Sequence, residues 1–275
     1  MKVAPEPTSP DPNWNPFYLK ADLERALDHD QFFLVYQPEI DLHTNAFVGV
    51  EALIRWRHPQ RGVLSPDIFV PQLETSGQIV QVGQWALTTA CAQGAEWHDK
   101  GYRFTVSVNI SARQFEDVDF VRQVDEALRS SRFSPSLLVL EFSFSTLVGL
   151  DESSRLLLDL KKLGVRLAID DFQPGRSQLD DLRSSPIDVV KLDRDFIATL
   201  SNSTTSSELV RELVDAAKQS HLQIVASGIE DDEQRRQLKL EAVDIGQGFH
   251  FSKPHEAHEI DRYLQDFAIF SGKPL

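Results

Sequence analysis

Short, nearly continuous apolar runs recur along this chain, separated by longer stretches with helical spacing. The runs are Phe32–Gln37, Phe47–Ile54, Phe104–Ile110, Leu137–Phe142, Arg166–Ile169, Val189–Leu192, Gln223–Ala226 and Asp244–Phe251. Most are rich in Val, Ile, Leu and Phe without strict alternation, as in strands buried on both faces. Amphipathic stripes lie between several of them: Ile79, Val82, Ala86, Ala90 and Trp97; Phe115, Val118, Val121, Val124 and Leu128; Leu156, Leu160 and Leu163; Leu209, Leu213, Val214 and Ala217. Gly164 marks the end of the third helix, and Ser201–Glu208 reads as a polar connector whose serines cap the fourth. Eight runs over roughly 255 residues leave about 32 residues per unit, the size of a βα repeat in an eight-stranded barrel. Only Asp41–Ala46 separates the first two runs. That is too short for a crossover helix, so this pair is expected as an antiparallel hairpin. The expected fold class is α/β, a TIM-like (β/α)8 barrel with one antiparallel strand. A doubly wound open sheet is the rival, but it would normally carry a Gly-rich phosphate loop, and neither GxGxxG nor GxxxxGK[ST] occurs.

Polar residues fall at or near the C-terminal ends of these runs. Gln37 ends the first, Glu51 and Arg55 lie in and after the second, Asn109 in the third and Glu141 in the fourth. Asp170 and Asp171 follow the fifth, Lys191 is in the sixth, Ser227 and Glu230 follow the seventh, and Gln247 lies in the eighth. In a barrel these ends share one rim, where catalytic groups gather. Glu51, Asn109, Glu141 and Asp170 offer oxygen donors alone, which suit Mg2+, Mn2+ or Ca2+ rather than zinc. Adjacent Asp171 could help to hold a second ion, an arrangement suited to phosphodiester cleavage. Lys191 could position an attacking water or neutralise phosphate, and Arg55 could fork onto a phosphate. Singly, each has a plainer reading: a salt-bridged strand acid, a helix-capping Asp170–Asp171 pair, a turn asparagine, a Lys191 paired with Asp193 or Asp188. Together, at successive strand ends, they read as a site.

Composition narrows the chemistry. The chain has 275 residues, 41% hydrophobic and 25% charged, as expected of an ordinary folded core. No stretch approaches a membrane span, and the N-terminus lacks an apolar signal core, so a cytoplasmic location is expected. Cys91 is the single cysteine, which excludes an intramolecular disulfide and a thiolate cluster. A net charge of −14 opposes binding to a DNA or RNA polymer, although local cations or a metal can still seat a small anion. Residues 1–16, with five prolines, read as a flexible leader or linker to a barrel domain at 17–275, of the kind that joins domains in a longer chain. Eight histidines form no HExxH, no GxSxG occurs, and Trp56, Trp85 and Trp97 read as packing residues.

The segments YQPEI (Tyr36–Ile40), EALIRW (Glu51–Trp56), SVNISARQF (Ser107–Phe115), LEFSF (Leu140–Phe144), IDDFQPGRS (Ile169–Ser177), VVKLDRDFI (Val189–Ile197), ASGIE (Ala226–Glu230) and GQGFHFSKP (Gly246–Pro254) follow in order. With them the chain resembles the EAL-domain family, bacterial phosphodiesterases that cleave cyclic di-GMP to linear pGpG. The resemblance covers Phe17 to about Gln265. It implies Mg2+ or Mn2+, one or two ions, held by Glu51, Asn109, Glu141 and Asp170, with Asp171 serving the second. It further implies Lys191 as the water-positioning lysine and Gln37 and Arg55 as nucleotide contacts; Gln247 is placed with them. A homodimer through helices near strands five and six, and a partner protein, would also fit.

Three departures bear on activity. The family's E-G-V-E reads Ser227-Gly228-Ile229-Glu230, so a hydroxyl stands where the first glutamate would be. A serine cannot act as a general base near neutral pH, which leaves Glu230 as the acid at hand. Phe144 replaces a second family acid and is not expected to anchor the loop after strand five. In that loop Gln173 and Pro174 restrict a backbone that glycine would leave free. The reading is therefore a cyclic di-GMP-binding domain with weak or lost hydrolysis. Its rivals are a working phosphodiesterase and a ligand-independent scaffold.

Overall fold

In the computed structural model, which describes residues 16–147, 151–174, 182, 185–200 and 204–271, the first two strands form the expected hairpin. Strand β1 (Phe32–Asp41) runs antiparallel to β2 (Phe47–His58), and the short link between them is pinned by Asp41, whose carboxylate accepts from the His43 and Thr44 amides. The chain continues through β3 (Gly62–Leu64), α1 (Pro16–Ala26) having preceded the hairpin, then α2 (Pro66–Ser76), α3 (Ile79–Asp99) and β4 (Thr105–Asn109). Next come α4 (Ala112–Phe115), α5 (Phe120–Ser131), β5 (Leu138–Ser143), α6 (Phe144–Leu147), α7 (Asp151–Leu163) and β6 (Arg166–Phe172). The last part holds β7 (Val189–Leu192), α8 (Arg194–Thr199), α9 (Thr204–Ser220), β8 (Gln223–Ala226), α10 (Asp232–Leu240), β9 (Ile245–Gly246) and α11 (Ala257–Ser271).

The strands close in the order β1–β2–β4–β5–β6–β7–β8–β9, with β9 returning to β1. Strand β1 is antiparallel to both neighbours, and every other pair in the ring is parallel. The barrel with one antiparallel strand is thus the observed fold. Short β3 hangs on β2 outside the ring, pairing Leu64 with Trp56.

Three apolar regions hold it. The largest lies between the barrel's outer face and its helices and includes Leu87, Val106, Phe142, Leu160, Val190 and Leu213. A second joins α1 and α2 to the end of β2 through Leu19, Leu23, Phe32, Trp56 and Phe69. The third fills the barrel interior with Val139, Ala168, Val189, Val225 and Ile245.

Local chemistry departs from the periodic reading at several points. The stripe from Phe115 to Leu128 is two helices, and Val118 between them is 98% exposed. Ser111 and Gln114 form a capping box that starts α4, and the Asp117 carboxylate takes the Asp119 amide and the Gln123 side chain, so local capping outcompetes continued helix. The eighth run pairs only at Ile245–Gly246, because Gly248–Ser252 turns back on itself through the Phe251 and Ser252 amides. Gly248 is required there: a Cβ would stand 2.1 Å from the Ile229 carbonyl. Of the expected leader, residues 1–15 lie outside the described residues, while Pro16 already opens α1. The connector at 201–208 is likewise described only from Thr204, which is helical. No helix among the described residues is long and apolar enough to cross a membrane.

Candidate active site

Side chains of a strand alternate, so each residue filling the barrel interior is followed two positions later by another on the same face. Val139 is followed by Glu141, Ala168 by Asp170, Val189 by Lys191, Val225 by Ser227 and Ile245 by Gln247. Asn109 pairs with Glu141 across β4 and β5, and Gln37 on β1 stands opposite Glu51 on β2. A ring of polar groups therefore rests on an apolar floor at one end of the barrel.

Lys191 is its hub, 1% exposed. Its Nζ donates to Glu51 Oε2 at 2.8 Å and to Glu141 Oε2 at 2.7 Å. Asn109 Nδ2 donates to Glu51 Oε1 at 2.7 Å. Gln247 Nε2 donates to Glu51 Oε2 at 2.8 Å and to Gln37 Oε1 at 3.3 Å, and Gln37 Nε2 donates to the Ser252 carbonyl at 3.2 Å. Six residues from five strands and the segment after β9 thus share one network.

Burial and charge oppose each other here. Burial pushes Glu141 well above the usual carboxylate range, against the pull of Lys191. Burial acts on Glu51 too, but the Lys191 charge and the hydrogen bonds from Lys191, Asn109 and Gln247 outweigh it and hold Glu51 low. Burial alone would depress Lys191; Glu141 and Glu51 reverse this and keep it charged. Asp170 is pushed up to about 6 by burial, and Asp171 is raised by burial and by Asp193.

These groups fit a divalent cation in donor chemistry and in charge. Four carboxylates surround one ammonium, and Glu141 Oε1 is buried with no hydrogen-bond partner. A cation would reverse the upward shifts that crowding and burial impose. As placed, however, Lys191 bridges Glu51 and Glu141, and among the described residues no three carboxylate, imidazole or thiol groups already converge on one point.

The remaining expected residues are distributed around this ring. Gln37, Glu51, Arg55, Asp170, Asp171, Lys191, Ser227, Glu230 and Gln247 all line a cleft of about 280 Å³. A second cavity of about 500 Å³ between β2, β4, α2 and α3 shares Glu51, Leu53 and Asp171 with the first and contains Asn109. Glu141 lies beneath, buried. Arg55 is 7% exposed and donates Nη1 to the Ile54 carbonyl. Ser227 Oγ is buried without a partner. Glu230 sits at the exposed rim, where Arg194 Nη2 donates to it at 2.6 Å.

The Phe144 ring meets that of Phe172, the last residue of β6, edge-on, with centroids 5.5 Å apart, while most of the loop that follows lies outside the described residues. The sequence reading also passed over Glu39, Arg194 and Phe249. Glu39 is 3% exposed and pushed up to about 7 by burial. Its signal was parity, since it lies two positions from Gln37. Arg194 and Phe249 both line the cleft and stand inside quoted motifs, three residues beyond Lys191 and two beyond Gln247.

Comparison with known proteins places the chain in a defined class. Residues 20–254 match the EAL domain family, and the chain belongs to that family. It is 37% identical over 244 residues to the bifunctional diguanylate cyclase/cyclic di-GMP phosphodiesterase MucR of Pseudomonas aeruginosa, covering 88% of this chain and 36% of that protein. It is 34% identical over 251 residues to the cyclic di-GMP phosphodiesterase PdeR of Escherichia coli, covering 91% of this chain and 38% of that protein. The chain therefore spans little more than a third of the length of these relatives. Among solved structures, the PaMucR phosphodiesterase in complex with c-di-GMP superposes with a TM-score of 0.84 at 37% identity, covering 88% of this chain and 99% of the other.

Proposed function

We propose that this domain binds cyclic di-GMP at the barrel mouth, together with Mg2+ or Mn2+, and hydrolyses it weakly or not at all. The family and the solved relative bound to c-di-GMP support the ligand. So does the pair of cavities that meet at Glu51, Leu53 and Asp171: a cyclic dinucleotide carries one base on either side of its phosphodiester ring. Glu51, Asn109, Glu141 and Asp170 would hold a first ion and Asp171 would serve a second. A bound divalent ion would supply charge stabilisation at the phosphodiester and a more acidic water.

The protein's own groups perform the rest. Arg55 presents a guanidinium to a phosphate oxygen, and Gln37 and Gln247, themselves hydrogen-bonded to each other, contact the ligand. Lys191 keeps its proton among the carboxylates of the ring, so it acts as a positive charge rather than a base.

The single observation that carries the weak-hydrolysis reading is Ser227. Ser227 lines the cleft with its Oγ buried and unpartnered, and a hydroxyl cannot take a water's proton near neutral pH. Glu230 does not substitute, because its carboxylate stands at the exposed rim three residues beyond Ser227, with or without its ion pair to Arg194. Loss of a general base costs roughly 10²–10⁴ in rate.

Calorimetric titration with cyclic di-GMP in Mg2+ or Mn2+, beside chromatography of the nucleotide products, tests the reading. Saturable heat with slow or absent pGpG formation is expected. Rapid metal-dependent turnover abolished by Glu51→Ala would make the domain a working phosphodiesterase, and absence of heat under every metal condition would make it a scaffold.

A further inference from the structure

The pairing of β6 with β7 breaks between Ile169 and Phe172, at the two aspartates of the ring. Asp171 takes φ 54°, a left-handed backbone that a β-strand does not supply and an aspartate adopts under constraint. A bulge of this kind re-aims the side chains on either side of it. Here the Asp171 amide donates to the Asp170 carboxylate, and Asp171 itself reaches both cavities.

Something must hold a strained turn in place, and two contacts flank it. On the β5 side, the Phe144 ring lies edge-on to Phe172, which is fully buried. On the β7 side, the Asp193 amide donates to the Phe172 carbonyl at 3.1 Å, and Gln173 Nε2 donates to Asp193 Oδ1 at 3.1 Å. Asp193 is itself fixed, since the same carboxylate oxygen caps α8 by accepting from the Asp195 and Phe196 amides. It stands two residues beyond Lys191, so the bulge is tied to the strand that carries the hub of the ring.

We propose that Phe144 and Gln173 are positioning residues, which through Phe172 and Asp193 clamp the Asp170–Asp171 bulge in the orientation that faces the ring. This rests on the reading of the ring as a cation site. Neither residue touches the ligand. Phe144 supplies an apolar hold on Phe172, and Gln173 supplies a polar one on Asp193.

The experiment measures Mn2+ affinity by electron paramagnetic resonance of the free ion, with hydrogen exchange of the 166–174 segment followed in the metal-free protein. The variants are Phe144→Leu, which keeps apolar bulk but loses the ring edge, Gln173→Ala, and Phe144→Tyr as the conservative restoration. Leu160→Val, in the helix-facing core, is the control for mere loss of stability. Phe144→Leu is expected to weaken Mn2+ binding about 10-fold and Gln173→Ala about 3-fold, in line with groups that orient metal ligands without touching the metal. Phe144→Tyr should stay near wild type, Leu160→Val should leave affinity unchanged, and exchange over 166–174 should quicken in Phe144→Leu. Equal Mn2+ affinity in wild type and both clamp variants would overturn the proposal while leaving the cation site standing. An equal loss in the Leu160→Val control would overturn it as well. If wild type binds no Mn2+, the reading of the ring fails, and the clamp then stands or falls on whether Phe144→Leu speeds local exchange.

Discussion

The two halves of the barrel mouth are built on different principles. Around β2, β4, β5 and β7, Glu51, Asn109, Glu141 and Lys191 are joined by hydrogen bonds of 2.7–2.8 Å, and only Asn109 among them is exposed. Around β6 and β8, Asp171 is in a left-handed conformation, Ser227 Oγ is buried without a partner, and Glu230 is drawn to the rim by Arg194. The first half is a charge-bridged network centred on Lys191, in which only Glu141 Oε1 is buried without a partner; the second is held by packing. A buried charge network costs much to break, whereas a strained, substituted edge is where catalytic capacity changes at little cost to the fold.

The largest effect should come from breaking the charge-bridged half. Lys191→Met leaves two buried carboxylates facing each other without their cation, and should destabilise the domain by about 3–5 kcal/mol at pH 8. Urea denaturation reads this, and an unchanged midpoint would mean the ring is not an electrostatic unit.

The next effect lies in the barrel interior. Glu39 titrates near 7 in the fold against 4.5 unfolded, so the folded state favours its neutral form. Stability from this group is therefore complete below pH 4.5 and is lost as the pH rises through about 7. Glu39→Gln should match wild type near pH 4.5 and exceed it by up to roughly 3 kcal/mol at pH 8. A constant difference across that range would contradict the assignment.

The substituted half should respond in rate rather than in stability. Ser227→Glu is expected to raise pGpG formation about 10- to 100-fold, no more than the low end of what a general base supplies, because the Gln173–Pro174 segment is unchanged. Full family-like turnover from this change alone would show that the Gln173–Pro174 segment imposes no constraint. Smallest of all, Arg194→Ala should change stability by less than about 1 kcal/mol, because both partners of its ion pair are largely exposed. It should also leave hydrolysis unchanged. A marked rise in rate on freeing Glu230 would identify that residue as the missing base.

Most of the fold was legible because apolar runs buried on both faces are hard to read as anything else, and a six-residue link forces the first pair antiparallel. The ring was legible for a related reason: an acid, amide or lysine at the end of such a run has no solvated face to occupy. What escaped the sequence was set by local competition or by contacts between distant residues. Among the described side chains, helix α1 offers Leu19, Leu23 and Ala26 to the core, too few for a clear stripe. The break at Val118 depends on the capping by Asp117, and the end of the eighth run on the close approach of Gly248 to Ile229. Glu39 lies beyond the first apolar run, and its burial is not visible in one position. The contact of Phe144 with Phe172, 28 residues on, is made only by the closed barrel.

The central claim is that oxygen groups from β2, β4, β5 and β6 meet as a cradle for a divalent cation beneath a phosphodiester. The most direct measurement is a crystal structure of the domain grown with Mn2+ and cyclic di-GMP, with anomalous scattering collected to locate manganese. The account predicts an anomalous peak ligated by Glu51, Asn109, Glu141 and Asp170, with Lys191 displaced from between the two glutamates and the nucleotide spanning both cavities. Nucleotide bound elsewhere, or a barrel mouth with no manganese beside an ordered nucleotide, would contradict it.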